Sequence, residues 1–409
     1  MNLIPKDQIR KFWYWLVLLG MILSLLLGAS DSPAAHAQNA PTRMPAYAPV
    51  PTAIPMTGAL PIKGQTLSQS GWFSIIWGDG LDGESQTDYT LTDESGQTIL
   101  LKLDETLTRS PGGILSFDRR YVSVQGVWAA TLLDQNAMEE LSVTSISLAP
   151  LPGTDSLEGV TSAAVTGSKP WISIMCKFSD YPVEPNNLAY FQGMYASSKP
   201  GLDHYWRELS YDMINVAGSN AAGWFVLPNP EIYYNPTDTT GGTNKTTLAN
   251  DCINVADSSV NFALYTGINM MFNTNFDNGY AWGGSRVMTL DGVTKTWSTT
   301  WEPPWAYASI SVIEHEMGHG FGLPHSSGNY GMTYDNAWDV MSKDRYNCGV
   351  ATDPTFGCMG QHTISYHKNK LGWIPAGQKF TAGLNTNTTI TLEQLALPQT
   401  GNYKMAQIP

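Results

Sequence analysis

The segment His315-Glu316-Met317-Gly318-His319-Gly320-Phe321-Gly322-Leu323-Pro324-His325 constrains this chain more than any other. Its pattern is H-E-x-x-H-x-x-G-x-x-H. On a helix, His315 and His319 stand one turn apart, so both imidazoles project from one face and can share an ion. Glu316 sits beside them, where a carboxylate can act on a metal-activated water. Gly322 can take the positive φ that ends a helix, and Pro324 stops the helix from resuming, so the chain can turn and return His325 as a third ligand. Three nitrogens plus an open fourth position describe a catalytic zinc site rather than a closed structural one. With only seven His in 409 residues, the full pattern arises by chance on the order of 10⁻⁵ times per chain.

The N-terminus reads as a targeting segment. Lys6, Arg10 and Lys11 precede an apolar run from Phe12 to Ala29, followed by Ala35-His36-Ala37. This is the layout of a signal peptide (1–37), with cleavage after Ala37 and a secreted product. Retention of the apolar run as a surface anchor is the alternative, and the only route to a membrane partner. The cysteines agree with export. Cys176, Cys252, Cys348 and Cys358 are even in number and lack C-x-x-C spacing, so disulfides are expected. The short Cys348–Cys358 loop favours that pair and leaves Cys176 with Cys252. A net charge of −13 gives no basic footprint for nucleic acid.

Residues 38–63, rich in Pro, Ala and Thr, read as a linker. From 64 to 150, short strands alternate with turns at Trp72–Trp77, Tyr89–Thr92, Thr98–Leu103, Ile114–Phe117, Tyr121–Val127 and Leu141–Leu148. The expectation is a small all-β prodomain or spacer, a sandwich or barrel. It holds no His or Cys, so no ordinary metal or nucleophile site is expected there. After a second linker at 151–168, a catalytic domain spans 169–375. It opens with the strand Trp171–Cys176, with helices expected at Gly201–Ser210, Leu248–Ser258 and Tyr307–Gly322. Arg286–Leu290 and Val293–Trp297 flank Asp291-Gly292, a hairpin signal. That hairpin either offers an edge strand to an extended substrate or is covered. Thr388–Leu397 reads as a β segment within 376–409, the start of a further β unit, whole or truncated.

These motifs resemble those of the metzincins, zinc endopeptidases with a Met-containing turn beneath the metal. Trp338-Asp339-Val340-Met341-Ser342 matches such a turn, with Met341 as a hydrophobic floor. Leu202–Tyr211, Gly223–Pro228 and Lys370–Trp373 are similar to features of the immune inhibitor A-like peptidases, which tend to carry Asp as third ligand. His325 in that place resembles the gametolysin, or cell-wall autolysin, family. The resemblance implies an α+β (α/β-like) metzincin-type catalytic domain preceded by the small all-β domain. It also implies one catalytic Zn2+ on His315, His319 and His325, Glu316 as base, and protein or peptide substrates. A protease specific for cell-wall or matrix glycoproteins and a non-catalytic, zinc-stabilised surface module are the alternatives. Tyr346, Tyr366 and His367 are weaker candidates for an oxyanion-stabilising group, the tyrosines more simply read as packed and His367 as a surface side chain. His204 and His362 read as structural. Asp277, Asn278 and Asp291 lack an EF-hand pattern, so no calcium is assigned.

Overall fold

The computed structural model describes residues 61–108, 113–129, 139–153, 164–236, 242–326, 334–342, 344–385, 387–398 and 401–408. The targeting segment, most of the first linker (38–60) and most of the second (154–163) lie outside the described residues. Five strands come first: β1 (Thr66–Gly80), β2 (Ser85–Thr92), β3 (Thr98–Lys102), β4 (Tyr121–Trp128) and β5 (Glu140–Leu148). In β4, Val122, Val124 and Trp128 recur on one face and bury against Phe73, Ile75, Leu91 and Leu141, as the two-residue strand period requires. Ile114–Ser116, expected as a strand, is a turn of 3-10 helix entered at Gly113 with φ 61. Only Ile114 of those three is buried, so there is no alternating face to hold a strand in the sheet.

The second run comprises β6 (Gly167–Ser168), β7 (Trp171–Lys177), β8 (Ile214–Asn215), β9 (Asn220–Val226), β10 (Gly267–Phe272), β11 (Tyr280–Leu290) and β12 (Val293–Glu302). Short β6 and β8 pair with each other. The other ten strands form a single mixed sheet in the order β2-β3-β5-β4-β1-β11-β12-β10-β7-β9, with β1 also paired to β2. This corrects the expected architecture. The chain is not a small metzincin-type α+β domain preceded by a separate all-β domain, but one large sheet with few helices. The cause lies in β1. Its first half pairs with β4, and its end, Ile76–Gly80, pairs antiparallel with Tyr280–Gly284 of β11. The hydrogen-bonding edge that β11 would otherwise expose is thereby satisfied within the chain.

Strands β9, β7, β10 and β12 run parallel, and β11 returns antiparallel through the Asp291-Gly292 turn. Both turn residues take positive φ, 48 and 74, the geometry of a tight primed hairpin turn. Strand β7 is buried on both faces, as expected under two layers of helix. Trp171 and Met175 face the cluster that includes Trp206, Met317, Phe321 and Met341. Ile172, Ile174 and Cys176 face the opposite cluster, covered by the helix Lys245–Ala256 through Leu248, Cys252 and Ala256. The helices Leu202–Ser210 and Lys245–Ala256 lie close to their expected spans. Thr388–Leu397 is not a strand. Its side chains are mostly exposed, and only the bridge Leu392–Tyr403 forms, because no apolar face is available to bury.

Two disulfides form, Cys176–Cys252 and Cys348–Cys358, as spacing suggested, and they point to an oxidising, extracellular environment. Among the described residues no helix is long and apolar enough to cross a membrane. The first bridge ties β7 to the helix that covers it across a separation of 76 residues, whereas the second spans 10. Chain-entropy terms of about 4.5 and about 2.8 kcal/mol follow for the two loops. Urea unfolding of Cys176→Ala/Cys252→Ala should therefore show the larger loss of stability, and Cys348→Ala/Cys358→Ala the smaller.

Candidate metal centre

The motif helix spans Ile310–Gly320, shorter than expected at its start, where Pro304–Tyr307 forms a separate turn. It packs on the central strands by close backbone approach. A Cβ on Gly283 of β11 would lie 2.5 Å from the Glu316 carbonyl oxygen and 2.9 Å from His319 Cβ. A Cβ on Gly320 would lie 2.5 Å from the Trp171 ring. The helix ends as predicted, at Gly322 with φ 96, where Leu323 N–H donates to Gly318 O at 3.0 Å. Phe321 then seats against Trp206 and Trp171, with ring centroids 4.7 and 5.7 Å away. Those contacts hold the turn that returns His325.

The three imidazoles meet. His319 Nε2 lies 3.0 Å from His315 Nε2 and 3.1 Å from His325 Nε2. His315 Nδ1 lies 2.6 Å from Val340 O, and His319 Nδ1 lies 2.7 Å from Leu323 O. A carbonyl can only accept, so both rings carry their proton on Nδ1 and turn a bare Nε2 lone pair inward. Bare nitrogens this close repel unless a cation lies between them. Bonds of 2.0–2.1 Å to a tetrahedral ion place ligand nitrogens about 3.3 Å apart, near the observed spacing. Glu316 is fully buried, and neither of its carboxyl oxygens has a hydrogen-bond partner.

A fourth donor comes from a place where none was expected. Asp79, near the end of β1, brings one carboxylate oxygen to 2.9 Å from His325 Nε2 and 3.3 Å from His315 Nε2, and the other to 3.6 Å from His319 Nε2. Asp79, His315, His319 and His325 together form a buried group able to hold a metal ion. The absence of His and Cys from the first five strands therefore does not keep them out of a metal site. Trp77, two residues earlier and so on the same strand face, stacks on His319 with centroids 5.5 Å apart and meets His325 at 5.1 Å. Gly78 between them is needed for space, since its Cβ would fall 2.5 Å from the Trp282 ring. The Tyr334 hydroxyl donates to Asp79.

The electrostatics express the same demand for a cation. Burial would raise the Asp79 carboxyl, yet the His325 and His315 imidazoles and its hydrogen bonds hold it well below the usual carboxylate range. Burial acts to lower His315, but Asp79 lifts it to about 9. His319 is pushed down to about 3, chiefly by burial. Burial, then the charge of Asp79, raises Glu316 well above its ordinary value. Glu302, fully buried at the end of β12 with neither oxygen paired, is pushed up to about 8 by burial. A dication bound between the imidazoles would offset the Asp79 charge directly.

Met341 packs against the motif helix. A Cβ on Gly318 would sit 2.4 Å from its sulfur. The turn is braced by Asp339, which accepts from Met341 N–H at 3.1 Å and from the Thr363 hydroxyl at 2.6 Å and lies 2.8 Å from His367 Nδ1. His367 is thus a buried support rather than the surface side chain of its simpler reading, and Tyr366 is half exposed rather than packed. The side chain of Tyr346 lies outside the described residues. His362 lies 2.8 Å and His204 3.8 Å from Glu208, away from the cluster. Asp277 pairs with Lys245 at 3.1 Å, and Asp291 accepts the Phe262 N–H at 2.6 Å, so both carboxylates have protein partners. Asp79, Trp77, Tyr334 and Glu302 are the residues the sequence reading missed.

Compared with known proteins, the chain matches no protein family and no curated protein. The site geometry therefore carries the functional argument. It also makes Gly283 a test of the packing that builds the cluster. Gly283→Ala should push the motif helix off β11 and lower zinc affinity by roughly tenfold or more, measured by competition with a chromophoric chelator. Unchanged affinity would show that the close approach is not needed.

Proposed function

We propose that this chain is a secreted zinc-dependent endopeptidase whose metal is held by His315, His319 and His325. The observation that best supports the reading is Glu316, a buried carboxyl without a partner beside three converging imidazoles. A purely structural ion has no use for such a group, and leaving it unpaired costs stability. When bound, zinc supplies Lewis-acid polarisation of a peptide carbonyl and of a water. Glu316 Oε takes a proton from the attacking water as its oxygen bonds to the carbonyl carbon. The same carboxyl delivers that proton to the amine nitrogen as the C–N bond breaks. Val340 O and Leu323 O keep the His315 and His319 rings in the ligating tautomer. The H-E-x-x-H-x-x-G-x-x-H resemblance supports the same chemistry in the manner of the gametolysin and immune inhibitor A-like peptidases. A glycoprotein of a cell wall or matrix is a narrower substrate within this reading.

One observation favours a second reading. Asp79 gives the cluster four protein donors, the number found in closed structural zinc sites, which suits a non-catalytic, metal-stabilised surface module. Casein hydrolysis separates the two. The exported chain, nicked within 151–168 and freed of the nicking protease, is compared with its Glu316→Ala form, each with one zinc per chain. The peptidase reading expects Glu316→Ala to keep the metal and lose about 10²–10⁴-fold in rate. Wild-type cleavage by Glu316→Ala would overturn the assignment of Glu316. Absence of cleavage by both, and by an Asp79→Ala form as well, would favour the module.

A further inference from the structure

We propose that β1 is an internal inhibitor that holds the metal centre closed, with Asp79 as a displaceable fourth ligand. This rests on the reading of the His cluster as a metal-dependent peptidase site. Three features of β1 act together. The Asp79 carboxylate lies within 2.9–3.6 Å of all three ligating nitrogens, the place a substrate carbonyl must enter. Trp77 covers the cluster by stacking on His319 and meeting His325 edge to face. The backbone from Ile76 to Gly80 is hydrogen-bonded to Tyr280–Gly284 of β11, so the strand edge beside Glu316 and His319 is occupied. An extended peptide would need both the metal position and that edge. β1 holds both.

The closed arrangement is fastened from both sides. The Tyr334 hydroxyl binds Asp79, and the Arg345 guanidinium donates to Leu81 O at 2.9 Å, just past β1. Arg119, in the turn before β4, donates to His319 O at 3.0 Å and Gly320 O at 2.6 Å. It thereby joins the Gly322 N–H on His319 O and the Ser298 hydroxyl on Gly320 O at the helix terminus. Lys245 bridges Asp88 of β2 and Asp277 at 2.9 and 3.1 Å. All of these contacts join the first five strands to the part that carries the three His. Asp79 itself is held by side chains and not by covalent proximity to the motif, so a rearrangement of β1 removes it without disturbing His315, His319 or His325.

The test uses the full chain loaded with cobalt(II), whose visible spectrum reports coordination, and acetohydroxamate as a small probe of an open metal position. The proposal expects one cobalt per chain in wild type and in Asp79→Ala. It expects the wild-type spectrum to ignore the probe and the Asp79→Ala spectrum to differ from it and to shift on addition. With zinc, a short fluorogenic peptide should be cleaved roughly tenfold or more faster by Asp79→Ala. Asp79→Asn, which keeps the side-chain shape, serves as second variant should the alanine form fail to fold. Identical spectra and probe responses in wild type and variant would overturn the proposal. So would loss of the metal from Asp79→Ala and Asp79→Asn to the extent seen for His319→Ala, which would make Asp79 a permanent structural ligand. A probe-responsive Asp79→Ala form that cleaves no peptide would uphold the closure by β1 and defeat the peptidase reading instead.

Discussion

Three converging imidazoles, with His319 Nε2 about 3 Å from the Nε2 atoms of His315 and His325 in a buried pocket, are a demand for positive charge. Much of the fold around them enforces that convergence. Two of the rings are fixed at Nδ1 by backbone carbonyls, and those carbonyls are fixed in turn by the Gly322 turn and by the Met341 turn. Asp339, Thr363 and His367 hold the Met341 turn from below. Glycines at 283, 318 and 320 let strand, methionine and tryptophan approach the motif helix more closely than any Cβ would permit. The glycines at 318 and 320, within the motif itself, are thus packing requirements.

The ten-stranded sheet and the covered Asp79–His cluster are one arrangement. β1 satisfies the edge of β11, and the same pairing register sets Asp79 opposite Ala281 and Trp77 opposite Gly283. The strand period then turns both side chains toward the histidines. A one-residue slip would turn them away. Sheet continuity and coverage of the site therefore stand or fall together.

The local parts of this account were legible in the sequence because they depend on neighbours in the chain. Helix spacing paired His315 with His319, Gly322 and Pro324 announced the turn to His325, Asp291-Gly292 marked its hairpin, and loop length paired the cysteines. What escaped was long-range. Asp79 looks like any polar residue beside a glycine in a turn, and no spacing rule links it to a motif more than two hundred positions later. Tyr334 lies between His325 and Met341, whereas the candidate tyrosines were sought after Met341. The joining of two expected domains into one sheet followed from the pairing of β1 with β11, and strand partners are not written in local periodicity. Ile114–Ser116 and Thr388–Leu397 were misread because short β-prone runs need a buried face that only the tertiary structure supplies.

The central claim is that the cluster is a metal centre with Asp79 as its fourth ligand. Anomalous diffraction at the zinc edge, from crystals of the intact chain grown with zinc, tests it most directly. The account predicts one strong peak within coordinating distance of the Nε2 atoms of His315, His319 and His325 and of an Asp79 oxygen. A peak bound by the three histidines with Asp79 turned away would contradict closure by β1. No peak at the cluster would contradict the metal centre itself.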